Sequence, residues 1–285
     1  MAKLKYTFKT DSLFKILFVK YPDLLKRLVA ELLSIKYESI EQLSITNPEM
    51  TPEELGKKFC RLDINMILDG KHINLEIQVD NEGNYLERSL FYWAREYSTS
   101  INEGDDFALL PPTIVISILD FKLFDCEEFH SEFRPLEVTR HTPLTDKMIL
   151  HYYELKKLPP LADEYNGRDL WLQLFNAQTE EDLSKIDALG VSVMNEAISA
   201  YRHVAASPEF REIERMRSKA RHDEAQALSN ARRKEREHWQ GVVAEMEAEK
   251  DAHWQGVVAE MEAEKDAENA ELRKQLEALR SQLEK

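Results

Sequence analysis

The period of the hydrophobic pattern changes several times along the chain, and each change marks an element. Asp11 to Val19 and Pro22 to Leu33 carry apolar residues at helical spacing (Leu13 and Leu17; Leu25, Leu28 and Leu32), with Pro22 placed for a first turn. Pro48 and Pro52 bracket a loop. Phe59–Leu68 and Ile73–Val79 then alternate strictly around Asp69-Gly70, a hairpin signal. Tyr85 to Ile101 returns to helical spacing and stops before Gly104. Thr113–Phe121 is nearly all apolar, the pattern of a central strand buried on both faces. Shorter strands are expected at Phe129–Val138 and Met148–Leu155, and helix again over Leu170–Ala206. The alternation of strands and helices predicts an α/β fold, a mixed sheet flanked by helices on both faces.

After Pro208 proline disappears, and Ala, Glu, Lys, Arg and Gln dominate, so a long helical tail is expected. The chain thus divides into a domain over 1–205 and a tail over 206–285. Within the tail His238–Ala252 recurs unchanged as His253–Ala267, a tandem repeat of 15 residues at 238–267. Fifteen residues are close to four helical turns. Trp239, Val242, Val243 and Met246 therefore share a stripe with Trp254, Val257, Val258 and Met261. Leu272, Leu276, Leu279 and Leu283 continue at coiled-coil spacing. A homodimer through residues 237–285 is expected. The period of 3.75 residues per turn disturbs a regular left-handed supercoil.

The hairpin carries the candidate chemistry. Leu62, Ile64, Met66 and Leu68 share one face of the first strand, and Arg61, Asp63 and Asn65 the other. In the second strand Ile73, Leu75, Ile77 and Val79 oppose Asn74, Glu76 and Gln78. A two-residue turn at Asp69-Gly70 pairs Leu68 with Lys71, which sets Asp63 across from Glu76, Asn65 across from Asn74, and Arg61 across from Gln78. Two carboxylates about 5 Å apart repel each other unless a proton, a basic side chain or a cation lies between them. An oxygen-only site of this kind suits Mg²⁺. The pattern alone also fits an edge hairpin whose polar face merely meets water.

Composition narrows the field. A hydrophobic content of 43% supports a packed core, and eight glycines are few for nucleotide-binding loops. Cys60 and Cys126 are isolated, so neither a zinc site nor a disulfide framework is expected. There is no apolar run of membrane-spanning length and no apolar leader core at the start, and the chain reads as cytoplasmic. The net charge of −15 opposes binding that rests mainly on phosphate contacts. Arg211 to Arg236, with nine Lys/Arg against five Asp/Glu, is the basic exception. It is either a DNA-contacting stretch or a solvated helix face. The acidic segment 237–285 excludes a membrane-surface helix.

The runs Arg61-Leu62-Asp63-Ile64 and Ile73-Asn74-Leu75-Glu76-Ile77-Gln78 resemble the PD-(D/E)XK nuclease superfamily. More narrowly they resemble the bacterial recombination-promoting nuclease (putative transposase) family, which has ExQ where most relatives have ExK. Asp11-Ser12-Leu13-Phe14-Lys15, Tyr85 to Tyr92, and Pro111 to Phe121 match as well, so the resemblance covers roughly 7–160. It implies a restriction-endonuclease-like fold and a DNA endonuclease working in recombination or transposition. Mg²⁺, with Mn²⁺ as a possible substitute, is then held by Asp63, Glu76 and the backbone carbonyl of Ile77. Gln78 stands where the superfamily has lysine and, being uncharged, can only orient water or phosphate. Asp11 either reaches the metal from the first helix or caps that helix. Arg88 either supports Glu76 and Gln78 or contacts DNA phosphate, and Tyr85 and Arg95 are further DNA-contact candidates. Leu86, Leu90, Trp93 and Tyr97 are expected to pack on the sheet. The alternative is a nuclease-fold module without catalysis that binds DNA or a protein partner through its tail.

Overall fold

Asp69 and Gly70 both have positive φ, 47° and 76°, which makes the tight turn whose twist matches its flanking strands. The computed structural model describes residues 3–47, 63–161 and 165–283. The turn joins β2 (Ile64–Leu68) to β3 (Lys71–Gln78) with Leu68 opposite Lys71, Asn65 opposite Asn74 and Ile64 opposite Leu75. The register is thus the one that the alternation requires. Phe59 to Leu62, including Cys60 and Arg61, and the prolines at 48 and 52 lie outside the described residues.

Around this hairpin the sheet grows to six strands in the order β1-β2-β3-β4-β6-β5. The remaining strands are β1 (Leu43–Ile45), β4 (Thr113–Leu119), β5 (His130–Phe133) and β6 (Met148–Glu154). β3, β4 and β6 run parallel, and the outer pairings are antiparallel. β4 lies mid-sheet and is buried at all seven positions, as its apolar run requires. β1, three residues long and without a strong alternation, has no counterpart in the sequence pattern.

Helices cover both faces. On one, α1 (Asp11–Lys20), α2 (Pro22–Leu32), α4 (Gly167–Asn176) and α6 (Ser192–Ala206) pack Phe14, Phe18, Trp171 and Phe175 against Ile64, Leu75, Ile77 and Ile116. On the other, α3 (Tyr85–Ser98) sets Tyr85 and Trp93 against Val115, Leu119 and Tyr152. The stretch read as continuous helix from Leu170 to Ala206 is three helices, with α5 (Glu180–Asp187) between α4 and α6. A capping box of Thr179 and Asp182 starts α5, and Gly190 at φ 71° separates it from α6. Behind β4 the loop is pinned by a buried pair: Glu154 accepts from the amides of Leu123 and Phe124, and Lys157 Nζ lies 2.7 Å from its other oxygen.

The expected facing of α3 needs correcting. Leu86 and Leu90 are exposed, and the inward face carries Tyr85, Ser89 and Trp93 instead. Polar tips explain the choice. Ser89 Oγ meets the Tyr152 hydroxyl at 2.7 Å, and Trp93 Nε1 donates to the carbonyl of Thr113 at 3.0 Å. An aliphatic face would leave these buried groups without partners.

The chain divides into two units, Met1–Ala220 and Arg221–Lys285. The 76-residue helix α7 (Pro208–Leu283) begins in the first and makes up the described part of the second. No helix among the described residues is long and apolar enough to cross a membrane.

Candidate active site

β3 ends where its polar face meets the first turn of α3, at the carboxyl ends of the parallel strands, a usual place for ligands in open α/β sheets. Glu76 sits there, 9% exposed and paired in register with Ser117 of β4. Asp63 immediately precedes β2, so the hairpin register continued by one residue sets it at the position facing Glu76. Asn74 holds this end together. Its amide nitrogen donates to Asp63 Oδ2 and to Asn65 Oδ1, both at 2.7 Å. From the loop after β1, Asn47 donates to the Asp63 carbonyl at 3.0 Å and accepts from the Asn65 amide at 2.8 Å.

A single guanidinium gathers the other polar groups. Arg88 Nη2 lies 3.3 Å from Glu76 Oε1 and 3.2 Å from Gln78 Oε1, while its Nη1 lies 3.1 Å from Glu82 Oε2. Partial burial works against the Arg88 charge, but the Glu76 carboxylate, with Tyr92 and Glu82, outweighs it and holds the guanidinium above its ordinary value. Of the two roles open to Arg88, support of Glu76 and Gln78 is the one its contacts make. Tyr85 approaches Glu76 from the other side, its hydroxyl 3.2 Å from Oε2 and 2.9 Å from Ser117 Oγ. Burial, and then the Glu76 charge, raise the Tyr85 phenol well above its usual range, so it stays protonated. At 2% exposure its ring has no surface to offer DNA, and the contact expected of it gives way to a supporting role.

Gln78 completes the polar face. Its Oε1 accepts from Arg88, and its Nε2 donates to the carbonyl of Asp80 at 3.1 Å. Ile77 buries its side chain in the core, so its backbone is what it can offer a ligand. Arg95 lies exposed on α3, two turns beyond Arg88.

Asp11 is placed differently from either expectation. Thr10, not Asp11, occupies the cap of α1, and Asp11 Oδ2 lies 3.3 Å from Arg217 of α7. Burial pushes the Asp11 carboxyl up, with Arg217 opposing. Among the described residues no three His, Cys, Asp or Glu side chains cluster as a metal site, so Asp11 does not join Asp63 and Glu76. The donor chemistry still fits a hard cation, because two carboxylates and a backbone carbonyl are oxygen ligands and Mg²⁺ commonly keeps several waters. The residues missed from sequence are Ser117, Asn74 as a clamp, and Asn47. Ser117 had a signal: a hydroxyl within an otherwise apolar buried strand demands a partner.

This fold and this arrangement define a class. The PD-(D/E)XK nuclease family transposase family matches residues 8–231, most of the chain. The chain belongs to that family. Neither the curated proteins nor the solved structures contain a significant match.

Proposed function

We propose that the protein is a Mg²⁺-dependent DNA endonuclease, of the kind that promotes recombination or transposition, acting in the cytoplasm. The observation that carries this reading is the end of β3. Glu76 and Gln78 are held there by one guanidinium, and Asp63 precedes the facing strand under the clamp of Asn74. Asp63, Glu76 and the Ile77 carbonyl would hold the cation, which when bound supplies Lewis acidity and a more acidic water. The protein's own groups then have defined tasks. Arg88 and the Tyr85 hydroxyl aim the Glu76 carboxylate. Gln78 gives one amide proton to Asp80, and the second is the one available to orient a water or a phosphate oxygen. An amide is no base, so Gln78 does not itself take the proton of the attacking water. Arg95, exposed on α3, is the candidate for contact with the DNA backbone.

Cleavage of plasmid DNA tests the reading. Nicking is expected with Mg²⁺ or Mn²⁺, none in EDTA, and none in Glu76→Ala. Equal activity in Glu76→Ala would move the site elsewhere. A second reading, a module that binds without cutting, draws on Gln78 in place of lysine and on the net charge of −15. It predicts DNA or partner binding with no metal-dependent product.

The tail is assigned to self-association. Trp239, Val243, Trp254 and Val258 are at least half exposed on the single helix, and an apolar stripe of this length needs a partner. The nuclease domain is assigned to 1–205 and the tail to 206–285, close to the start of α7 at Pro208. We assign residues 237–285 to a homodimer seam.

A further inference from the structure

We infer that the tail pairs with a second copy of itself in antiparallel orientation, about a two-fold axis at Lys250. The inference rests on the dimer just proposed and adds its direction and register. Two observations on the exposed helix lead to it independently.

The first is the layer pattern. Along α7 the seam runs Trp239, Val243, Met246, Lys250, Trp254, Val257, Met261, with Leu228 on one side of it and Leu272, Leu276 and Leu279 on the other. The axis at Lys250 gives Leu272 an apolar partner and sets Leu276 and Leu279 opposite Glu224 and Arg221. Turning this series about Lys250 lays Trp239 on Met261, Val243 on Val257, Met246 on Trp254 and Leu228 on Leu272. Each indole then meets a flexible thioether, a favourable sulfur–aromatic contact. In parallel, in-register pairing each indole meets its own copy and both Lys250 and Lys265 face themselves, whereas the antiparallel axis leaves only Lys250 facing its own copy and sets Lys265 opposite Glu235.

The second is charge. Residues 221–236 carry five Lys/Arg against three Asp/Glu, and residues 264–279 carry three against five. The rotation about Lys250 maps these two segments onto each other. Arg232 falls opposite Glu268, Glu235 opposite Lys265, and Arg236 opposite Glu264. A parallel dimer stacks the basic segment on its own copy and the acidic one likewise. Flanking charges of this kind set orientation in paired helices. Sliding the antiparallel pair by one repeat keeps only one of the two Trp–Met contacts: in one direction Arg236 then meets Leu279, and in the other the overlap shortens to residues 221–264. The exact duplication is what makes the two halves of the seam interchangeable.

The overlap, residues 221–279, is about 90 Å long at the α-helical rise. The two nuclease units are therefore attached at opposite ends of the paired segment.

Disulfide trapping in the full-length chain reads the orientation. In a background carrying Cys60→Ser and Cys126→Ser, Val243→Cys and Val257→Cys chains are oxidised separately, mixed after subunit exchange, and combined in one chain. A disulfide forms only when the two Cα atoms come within about 7 Å. Antiparallel pairing predicts little dimer from either single variant, several-fold more from the mixture, and most from the double variant. Covalent dimer from Val243→Cys alone, with no gain on mixing, shows a parallel pair and overturns the inference. A chain that light scattering finds monomeric at micromolar concentration removes the dimer reading itself. A charge exchange gives a second readout. Arg232→Glu with Arg236→Glu should weaken self-association, and mixing with Glu264→Arg, Glu268→Arg chains should restore it. Failure to restore also counts against the antiparallel register. None of these measurements reads cleavage, so the nuclease assignment stands or falls separately.

Discussion

Glu76 and Asp63 were legible because strict alternation put them on the polar face, and the Asp69-Gly70 turn fixed which residues meet. Arg88 was legible from its helical spacing, though its bond to Glu82 was not. Ser117 was overlooked because its neighbours spell an apolar strand. Asp11 was misplaced because its partner, Arg217, lies 206 residues away, beyond any local pattern. Removing the charge of Asp63 tests the carboxylate pair. Without metal, Asp63→Asn should melt at or above wild type, since relief of repulsion is worth on the order of 1 kcal/mol. Mg²⁺ should raise the melting temperature of wild type and hardly that of the variant. A variant destabilised in EDTA, with no Mg²⁺ shift in wild type, would sink the metal site. A second residue gives a pH signature. His151, its ring parallel to that of His130 at 5.3 Å and 6% exposed, is pushed down to about 4 by burial. The unfolded chain takes up this proton first, so the stability that His151 contributes is complete above about pH 6.5. It is lost as pH falls to about 4, a change of roughly 3 kcal/mol. His151→Gln should flatten the melting temperature over that window, and an unchanged slope would assign the acid sensitivity elsewhere.

Among elements, the hairpin and β4 were readable since one period or one apolar run decides them. α3 was not, because hydrophobicity alone ranks Leu86 and Leu90 above Ser89, whereas the sheet beneath offers the Tyr152 hydroxyl and the Thr113 carbonyl. Local patterning sees the apolar content of a helix but not the polar groups it must satisfy. The division of α4, α5 and α6 was written in Thr179, Asp182 and Gly190, signals weaker than the apolar spacing around them. The turn gives the sharpest test at this scale. Gly70 has open space around it, so Gly70→Ala meets no clash, only the penalty of positive φ. Chemical denaturation should show a loss of about 1 kcal/mol with the midpoint shifted and the slope unchanged. A loss several times larger would mean that the hairpin register itself had slipped.

At the scale of the whole chain, two units with different physics share one continuous helix. The first has its own aromatic core, while the second exposes most of its apolar side chains, and on the proposed pairing its stability depends on concentration. Helical denaturation followed by circular dichroism should therefore show two transitions. The one from the tail should move upward with protein concentration and the other should not. A single concentration-independent transition would contradict separate stabilisation of the two units. The helical tail was legible from composition and the repeat, but the interior start of α7 was not, because Phe210 and Glu214 are buried within the first unit.

The pinned loop behind β4 has a kinetic consequence. Amides in a surface loop normally trade their hydrogens for solvent quickly, since small fluctuations expose them. The Leu123 and Phe124 amides point at a carboxylate that is fully buried, so they open only when β6 itself opens. Their exchange with deuterium should be as slow as that of the strand, an island of protection in the segment after β4. Glu154→Ala, which removes the acceptor, should erase it, leaving these two hydrogens to exchange on the timescale of an ordinary loop.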